Sequence, residues 1–315
     1  YQSWYGIDSG TLSANRTYNP AGEMYDSNGV LIGHYDNQVD DYKQDHFQFH
    51  WTQQYNSSWS STIGLNYTYG RGYYEEYNDL WATQNITFGD EVNFDYLQIT
   101  PLIIGGTTID TTENISRKWL DNNFYVGTFS LNYDSNQTNA VFGGSYSTYN
   151  GDHFGNLIWA QYTSNAAPNH RFYENNADKK DFNLYTKVTQ RLGTAWTVYA
   201  DVQFRTIAYN SLGTVKGTEP IAIDDNLSFF NPKAGITYRA SDASRLYLSY
   251  AKAQREPNRS DYENGTPKPE SLNDFEAGWR FKKEKFQLQA NLYYMDYENQ
   301  LVLTGALDAV GEPIR

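Results

Sequence analysis

Along this chain, amphipathic segments are joined alternately by very short and very long connectors, and that alternation constrains the fold more than any single motif. The short links are Ser57-Ser58, Asp134 to Thr138, Leu192 to Ala195, Ser241 to Ser244 and Lys282 to Lys285. The long ones run from Ile7 to Gln44, Gly70 to Asp121, Asn150 to Asp181, Tyr209 to Asn226 and Gln254 to Glu270, with a last one after Leu303. A sheet closed in a membrane has this form, because one rim carries tight turns and the other projects elaborated loops.

The segments have the two-residue period of strands. Val198, Ala200, Val202 and Phe204 oppose Tyr199, Asp201, Gln203 and Arg205; Phe286, Leu288, Ala290, Leu292 and Tyr294 oppose Gln287, Gln289, Asn291, Tyr293 and Met295. The period recurs at His46 to Tyr55, Thr62 to Tyr69, Asn123 to Tyr133, Asn139 to Tyr149, Asn183 to Leu192, Pro232 to Tyr238, Arg245 to Lys252 and Asp274 to Lys282. This predicts about ten strands, each close to the roughly 9 to 11 residues that a tilted strand needs to cross a bilayer. One such strand would suit a soluble sandwich equally well. Aromatic residues beside the short turns (Trp59, Tyr133, Trp196, Tyr238, Phe286) favour the membrane, where rings collect at the interface.

The mean hydropathy of -0.73 and the absence of a long apolar run exclude membrane helices, while alternating strands hide their oily face from averaging scales. The chain has no Cys, which excludes thiolate chemistry and a disulfide scaffold. A net charge of -13 argues against nucleic acid as a partner.

Little in the chain suggests catalysis. No serine elbow or phosphate-cradling loop occurs, and carboxylate pairs such as Asp40-Asp41 read as solvated loop acids. His46 and His50 are about 13 Å apart on one strand face, too far to share an ion, so no metal site and no cofactor are expected. Binding is the better reading. Tyr73, Tyr74 and Tyr77 with Trp81 form one candidate cluster, His153, Phe154 and Trp159 a second, and Arg255 with Arg259 a third; Tyr and Trp supply rigid contact area at low entropic cost.

The stretch from Phe230 onward carries Arg255-Glu256-Pro257 in a loop, Pro269-Glu270 opening the next strand, and Glu276-Ala277-Gly278 within it. This pattern resembles the C-terminal half of the barrel of TonB-dependent outer-membrane receptors. Upstream, RTYNPAG, YDNQVDDYKQDH, GRGYYEEY, RKWLDNNFYVGTFSLNY and GDHFGNLIWAQY resemble the same receptors from Bacteroides-like bacteria.

The resemblance implies an all-β fold: a transmembrane antiparallel barrel segment with short periplasmic turns and long extracellular loops, part of a wall of roughly 22 strands. Residues 1–315 would be a partial barrel domain in the bacterial outer membrane, lacking the N-terminal plug, the early strands and the final strands. It further implies import of a scarce solute, an iron-siderophore or other metal chelate first, cobalamin or an oligosaccharide next. Partners would be the TonB complex through the plug, the extracellular ligand and outer-membrane lipid. Lys187, Arg191, Asp201, Arg205, Lys233, Arg239, Glu276 and Arg280 would line the lumen and meet the plug. Readings from other classes are a passive channel, a surface adhesin or lectin-like β-protein, and an outer-membrane hydrolase.

Overall fold

The computed structural model describes residues 9–81, 89–215, 217–263, 265–302 and 305; the connector after Leu303 lies outside them except for residue 305. A short helix α1 (Ser9–Ala14) and a small hairpin of β1 (Glu23–Tyr25) and β2 (Leu31–His34) precede the main sheet. Its strands are β3 (Val39–Gln54), β4 (Trp59–Asn78), β7 (Asn114–Asp134), β8 (Thr138–Ala160), β9 (Arg171–Leu192), β10 (Trp196–Val215), β11 (Glu219–Arg239), β12 (Ser244–Arg255), β13 (Glu270–Lys283) and β14 (Phe286–Glu298). A second hairpin, β5 (Leu102–Ile104) and β6 (Thr107–Ile109), lies within the β4–β7 connector, and a one-turn helix α2 (Arg259–Glu263) within the β12–β13 connector.

The ten strands pair antiparallel in chain order from β3 to β14, with the small hairpins left out, and all five short turns fall on one rim. This is the topology the connector lengths predict. Faces also follow the predicted phase. Val202 and Phe204 stand bare on one side, as do Phe47, Leu65, Phe129 and Leu292, which is the arrangement of a wall whose apolar side meets lipid. Rings mark both ends of that belt. Trp59 packs at a tilt on Tyr133 at 4.8 Å and Trp196 on Tyr238 at 4.4 Å beside the short turns, while Phe47, Tyr67 and Tyr125 stack at 5.8 and 4.6 Å toward the other end.

The long connectors are shorter than their sequence suggests. Strands β8 and β9 extend to Ala160 and from Arg171, and β10 and β11 continue to Val215 and from Glu219, so the Tyr209–Asn226 connector is almost entirely ladder. Gly213 lies in that extension with φ of +137°, and a Cβ there would meet the Glu174 carbonyl at 2.1 Å. Glycine lets β10 lie this close to β9.

The compact apolar core lies outside the lipid belt. Phe94, Leu97 and Ile99 of the β4–β7 connector pack on Leu157 and Ala160 of β8 and Phe172 of β9. Polar ties finish the joint: Gln98 Nε2 donates to the Gly217 carbonyl at 2.8 Å and Thr100 N to Asn165 Oδ1 at 2.7 Å. The connector is thus a roof laid across β8 and β9 and fixed as far as the β10–β11 turn.

Candidate ligand site on the inner wall

Alternation assigns the polar face. Asp201 is in register with Lys187 on one side and Lys233 on the other, which carries that face across β9, β10 and β11. The same phase runs through Ser147 on β8 and Val126 on β7. Strand side chains stand perpendicular to the sheet, so the inner wall is a grid whose rows can be read from register.

Two hollows open on this grid and share Phe124. The upper is lined by Tyr42, Gln44, Thr68, Asn122 and Tyr149 and has a volume of about 470 Å³, within the range of ligand sites. Tyr42 Oη accepts from Asn122 Nδ2 and from Gln44 Nε2, both at 3.1 Å, which fixes that ring. The lower is lined by Ser145, Ser147, Asn183, Gln203, Asn231 and Gln254 beside the Asp181–Arg205 pair. Asn231 Nδ2 donates to Gln203 Oε1 at 3.1 Å, and Gln254 Oε1 accepts from Phe230 N at 3.2 Å.

The charges of this region are matched. Arg205 Nε reaches both oxygens of Asp181 at 3.2 and 3.0 Å, its Nη2 donates to Glu256 at 3.0 Å, and Lys179 meets the same Glu256 oxygen at 3.0 Å. Higher on the wall, Lys118 lies between Glu76 at 3.1 Å and Glu91. Burial alone would lower the Lys118 pKa, but the two carboxylates hold it well above its ordinary value. Glu75 accepts from Tyr35, Asn37 and Arg117, each at 2.5 Å; burial would raise its pKa and these donors bring it below the usual value.

Among the described residues, five buried side-chain atoms lack a hydrogen-bond partner: His153 Nε2, Asn183 Oδ1, Ser211 Oγ, Asn231 Oδ1 and Asp274 Oδ1. All five residues share the inner-face phase. Buried polar groups without partners are uncommon in folded proteins, and here they are confined to the inner face.

Of the residues singled out in the sequence, His153 and Arg259 come together. Arg259 Nη2 donates to Asn175 Oδ1 at 3.0 Å, and Asn175 is the register partner of His153. Burial, then the Arg259 charge, push the His153 pKa down to about 4 against a weaker pull from Asp152. Tyr73 and Tyr74 are divided between the two faces. Tyr73 lies on the outer side against Trp119 at 4.6 Å, with the Arg117 guanidinium 4.3 Å from its ring; Tyr74 is on the inner side, 5.2 Å from Lys118 Nζ. Adjacent strand residues cannot share a face, so the expected tyrosine cluster is not a single surface.

Trp81 is half-buried just past β4, with its backbone N–H donating to Asp79 Oδ1 at 2.6 Å. Trp159 is half-exposed near the top of β8. Arg255 pairs with Glu270 at 2.6 Å, which joins two of the motif positions across the β12–β13 connector, and Pro257 and Pro269 lie within that connector. Glu276 and Gly278 lie on the inner face of β13, where a Cβ on Gly278 would meet the Tyr247 ring at 2.1 Å. Sequence reasoning did not single out Asn175, Asn183, Asn231 and Tyr149. Asn183 and Tyr149 stand at the ends of predicted strands and Asn231 one residue before one, whereas Asn175 lies in the part of β9 beyond the predicted strand.

The family model described as TonB dependent receptor-like, beta-barrel, matches residues 1–313. Comparison with curated protein sequences returns no match. Among solved structures, the chain is similar to the ferric-catecholate import receptor Fiu of E. coli K12 in its closed form, with a TM-score of 0.56 at 15% identity over 93% of this chain and 47% of that one. It is also similar to the copper transporter OprC, with a TM-score of 0.55 at 12% identity over 80% and 38%. The ferric yersiniabactin uptake receptor FyuA of Yersinia pestis gives 0.51 at 12% identity over 83% and 37%. The chain therefore spans less than half the length of these structures.

Proposed function

The chain belongs to the TonB-dependent receptor-like β-barrel family, whose members are outer-membrane receptors and transporters, and we infer that it forms wall and outer mouth of a receptor that imports a scarce, bulky solute at the expense of energy relayed by TonB. The observation that carries this reading is the ten-stranded antiparallel wall, with its apolar face bare and its polar face holding matched charges and unpartnered polar atoms. A soluble protein would have to cover that apolar face.

Capture takes place at the inner-wall hollows and the His153–Arg259 corner above them, with the roof segment limiting access from the β7–β9 side. A plug domain occupies the lumen below and contacts TonB. A ferric chelate is the cargo suggested by neighbours such as the ferric-catecholate import receptor. Arg255 and Arg259, the cations expected to attract an anionic chelate, are already held by Glu270 and by Glu263 with Asn175.

Whole-cell uptake tests the receptor reading. Cells expressing the intact receptor should accumulate labelled solute from a mixed pool of ferric chelates, cobalamin and oligosaccharides, and deletion of TonB or dissipation of the proton gradient should abolish it. Accumulation that survives both treatments would identify a passive channel instead.

A further inference from the structure

The connector between β12 and β13 leaves the wall and folds back into the mouth. Its base stays in the ladder, where Arg255 pairs with Glu270. Beyond that base, Glu256 reaches Lys179 of β9 and Arg205 of β10, each at 3.0 Å. Arg259 Nη2 donates to Asn175 of β9 at 3.0 Å, and Tyr262 Oη donates to Asp225 of β11 at 2.6 Å with its ring 5.9 Å from that of Tyr209. The segment is stiff in itself. Asn258 N donates to Asp261 Oδ2 at 2.8 Å and Asp261 N returns a bond to Asn258 Oδ1 at 2.9 Å, the reciprocal pairing of a capping box. Arg259 and Tyr262 stand three apart on the one turn of α2, hence on neighbouring positions of its surface. We propose that Glu256 to Glu263 is a displaceable strap, seated on the inner wall in this structure, which lifts as a unit to uncover a floor of Ala177, Ser211 and Ile223 and to turn a charge-matched hollow cationic.

Register locates the floor. Ser211 is paired with Ala177 on one side and Ile223 on the other. Two residues along β10 in one direction, Gly213 pairs with Asn175, the anchor of Arg259; two residues in the other, Tyr209 pairs with Asp225, the anchor of Tyr262. A strap held at those two rows passes over the row between them. Ala177, Ser211 and Ile223 are accordingly 4, 2 and 7% exposed, although they stand on the face that looks into the lumen. The seat of the strap differs in kind from that of the roof. Phe94, Leu97 and Ile99 sink the roof into an apolar core to which the strap contributes no residue. Its ion pairs join side chains that are 20 to 34% exposed, so water can replace each bond as it breaks, and segments fastened in this way open locally while the rest of a fold stays intact. Lifting Glu256 leaves Arg205 and Lys179 with Asp181 alone, two cations against one anion at the edge of the lower hollow.

The test labels Ser211→Cys in the intact receptor on cells, measured over the background of the unsubstituted receptor. Two membrane-impermeant methanethiosulfonates of opposite charge are used, the trimethylammonioethyl and the sulfonatoethyl reagent. A seated strap should keep Ser211→Cys at least about ten-fold slower than the exposed Ala167→Cys, and adding Arg259→Ala with Tyr262→Phe should speed it about ten-fold. In that variant the preference for the anionic reagent should rise. Loss of the Arg259 charge without movement would lower it, so a rise reports that Glu256 has left Arg205 and Lys179. Gln98→Asn cuts the roof's bond to Gly217 at a residue whose φ of 51° Asn tolerates, and should leave the rate unchanged. Heat-modifiable migration on gels shows that each variant retains its wall. A floor that labels as fast as Ala167→Cys with the strap intact overturns the proposal, as does a strap variant whose rate or charge preference stays where it was. Gln98→Asn acting as strongly as the strap variant overturns it too, and would make the roof the cover. The proposal rests on the assignment of this rim to the outer mouth; the labelling needs neither cargo nor TonB, so failure of the strap leaves the receptor reading in place.

Discussion

Arg259 donates through Nη2 to Oδ1 of Asn175 at 3.0 Å across 84 positions of sequence, so the connector between β12 and β13 is fastened to β9 rather than free in solvent. Arg259→Ala should release it. Limited proteolysis of the intact receptor should then cut within 256–269 markedly faster than in the parent. Arg255→Ala should do less, because the Arg255 side chain is 53% exposed and such pairs contribute about 0 to 1 kcal/mol. Equal cutting in both variants would show that the Asn175 contact does not hold the connector.

Val202 and Gln203 face opposite sides of β10. Val202→Arg should destabilise the folded wall by about 2 to 4 kcal/mol near the bilayer midplane, and Gln203→Arg by much less. Folding titrations into lipid vesicles read both values, and matching costs would mean that the faces are misassigned.

Lys118 is enclosed by Glu76 and Glu91, with side-chain exposures of 11, 13 and 14%. Lys118→Met keeps the volume but leaves two carboxylates facing each other under the roof. A loss of about 3 to 5 kcal/mol follows from stranding shielded charges; Lys118→Met combined with Glu76→Gln and Glu91→Gln should recover most of it. Thermal unfolding of the extracellular portion, followed by Trp fluorescence, is the measurement.

His153 gives the mouth a pH dependence of defined sign. Its pKa falls from 6.5 to about 4 on folding, so between those values the unfolded chain carries a proton that the folded one lacks. Stability is then complete above pH 6.5 and declines as the pH drops toward 4. Glu75 works in the same direction at lower pH. Its carboxylate is favoured in the fold, and its contribution fades once acid protonates it. His153→Gln should flatten the upper part of the profile, and an unchanged profile would count against the burial of that ring.

This chain has no cysteine, so a cysteine placed in it can be compared with the unsubstituted receptor as the background. Ser57→Cys, in a short turn, should react with a membrane-impermeant maleimide only after cells are opened. Ala167→Cys, in the β8–β9 connector, should react on intact cells. Labelling of both on intact cells would contradict the assignment of short turns to one rim.

The lipid-facing part of this fold was readable in the sequence because a bilayer demands strict alternation: Val198 to Phe204 must be oily on one side whatever the neighbours are. Beyond the belt that demand stops. The Tyr209–Asn226 stretch has polar residues on both faces, yet its backbone bonds continue the ladder of β10 and β11 without apolar patterning to announce it. The site was harder to read for the same reason. His153 and Arg259 stood out by residue type, but Asn175, the residue that joins them, is one of many asparagines, and only three-dimensional register distinguishes it. The division of Tyr73 from Tyr74 was implicit in the two-residue period, provided that β4 was known to run on to Asn78.

An even number of strands with every tight turn on one rim leaves both edges of the sheet opening toward the other rim. Such a wall can change in circumference only by whole hairpins, at about 4.8 Å of width per strand. Gain or loss of a single strand would reverse every strand after it and move the mouth residues to the opposite side of the membrane. The bore of this architecture is therefore quantised, and duplication of a β-hairpin is the smallest inherited step by which it can widen to admit a larger guest.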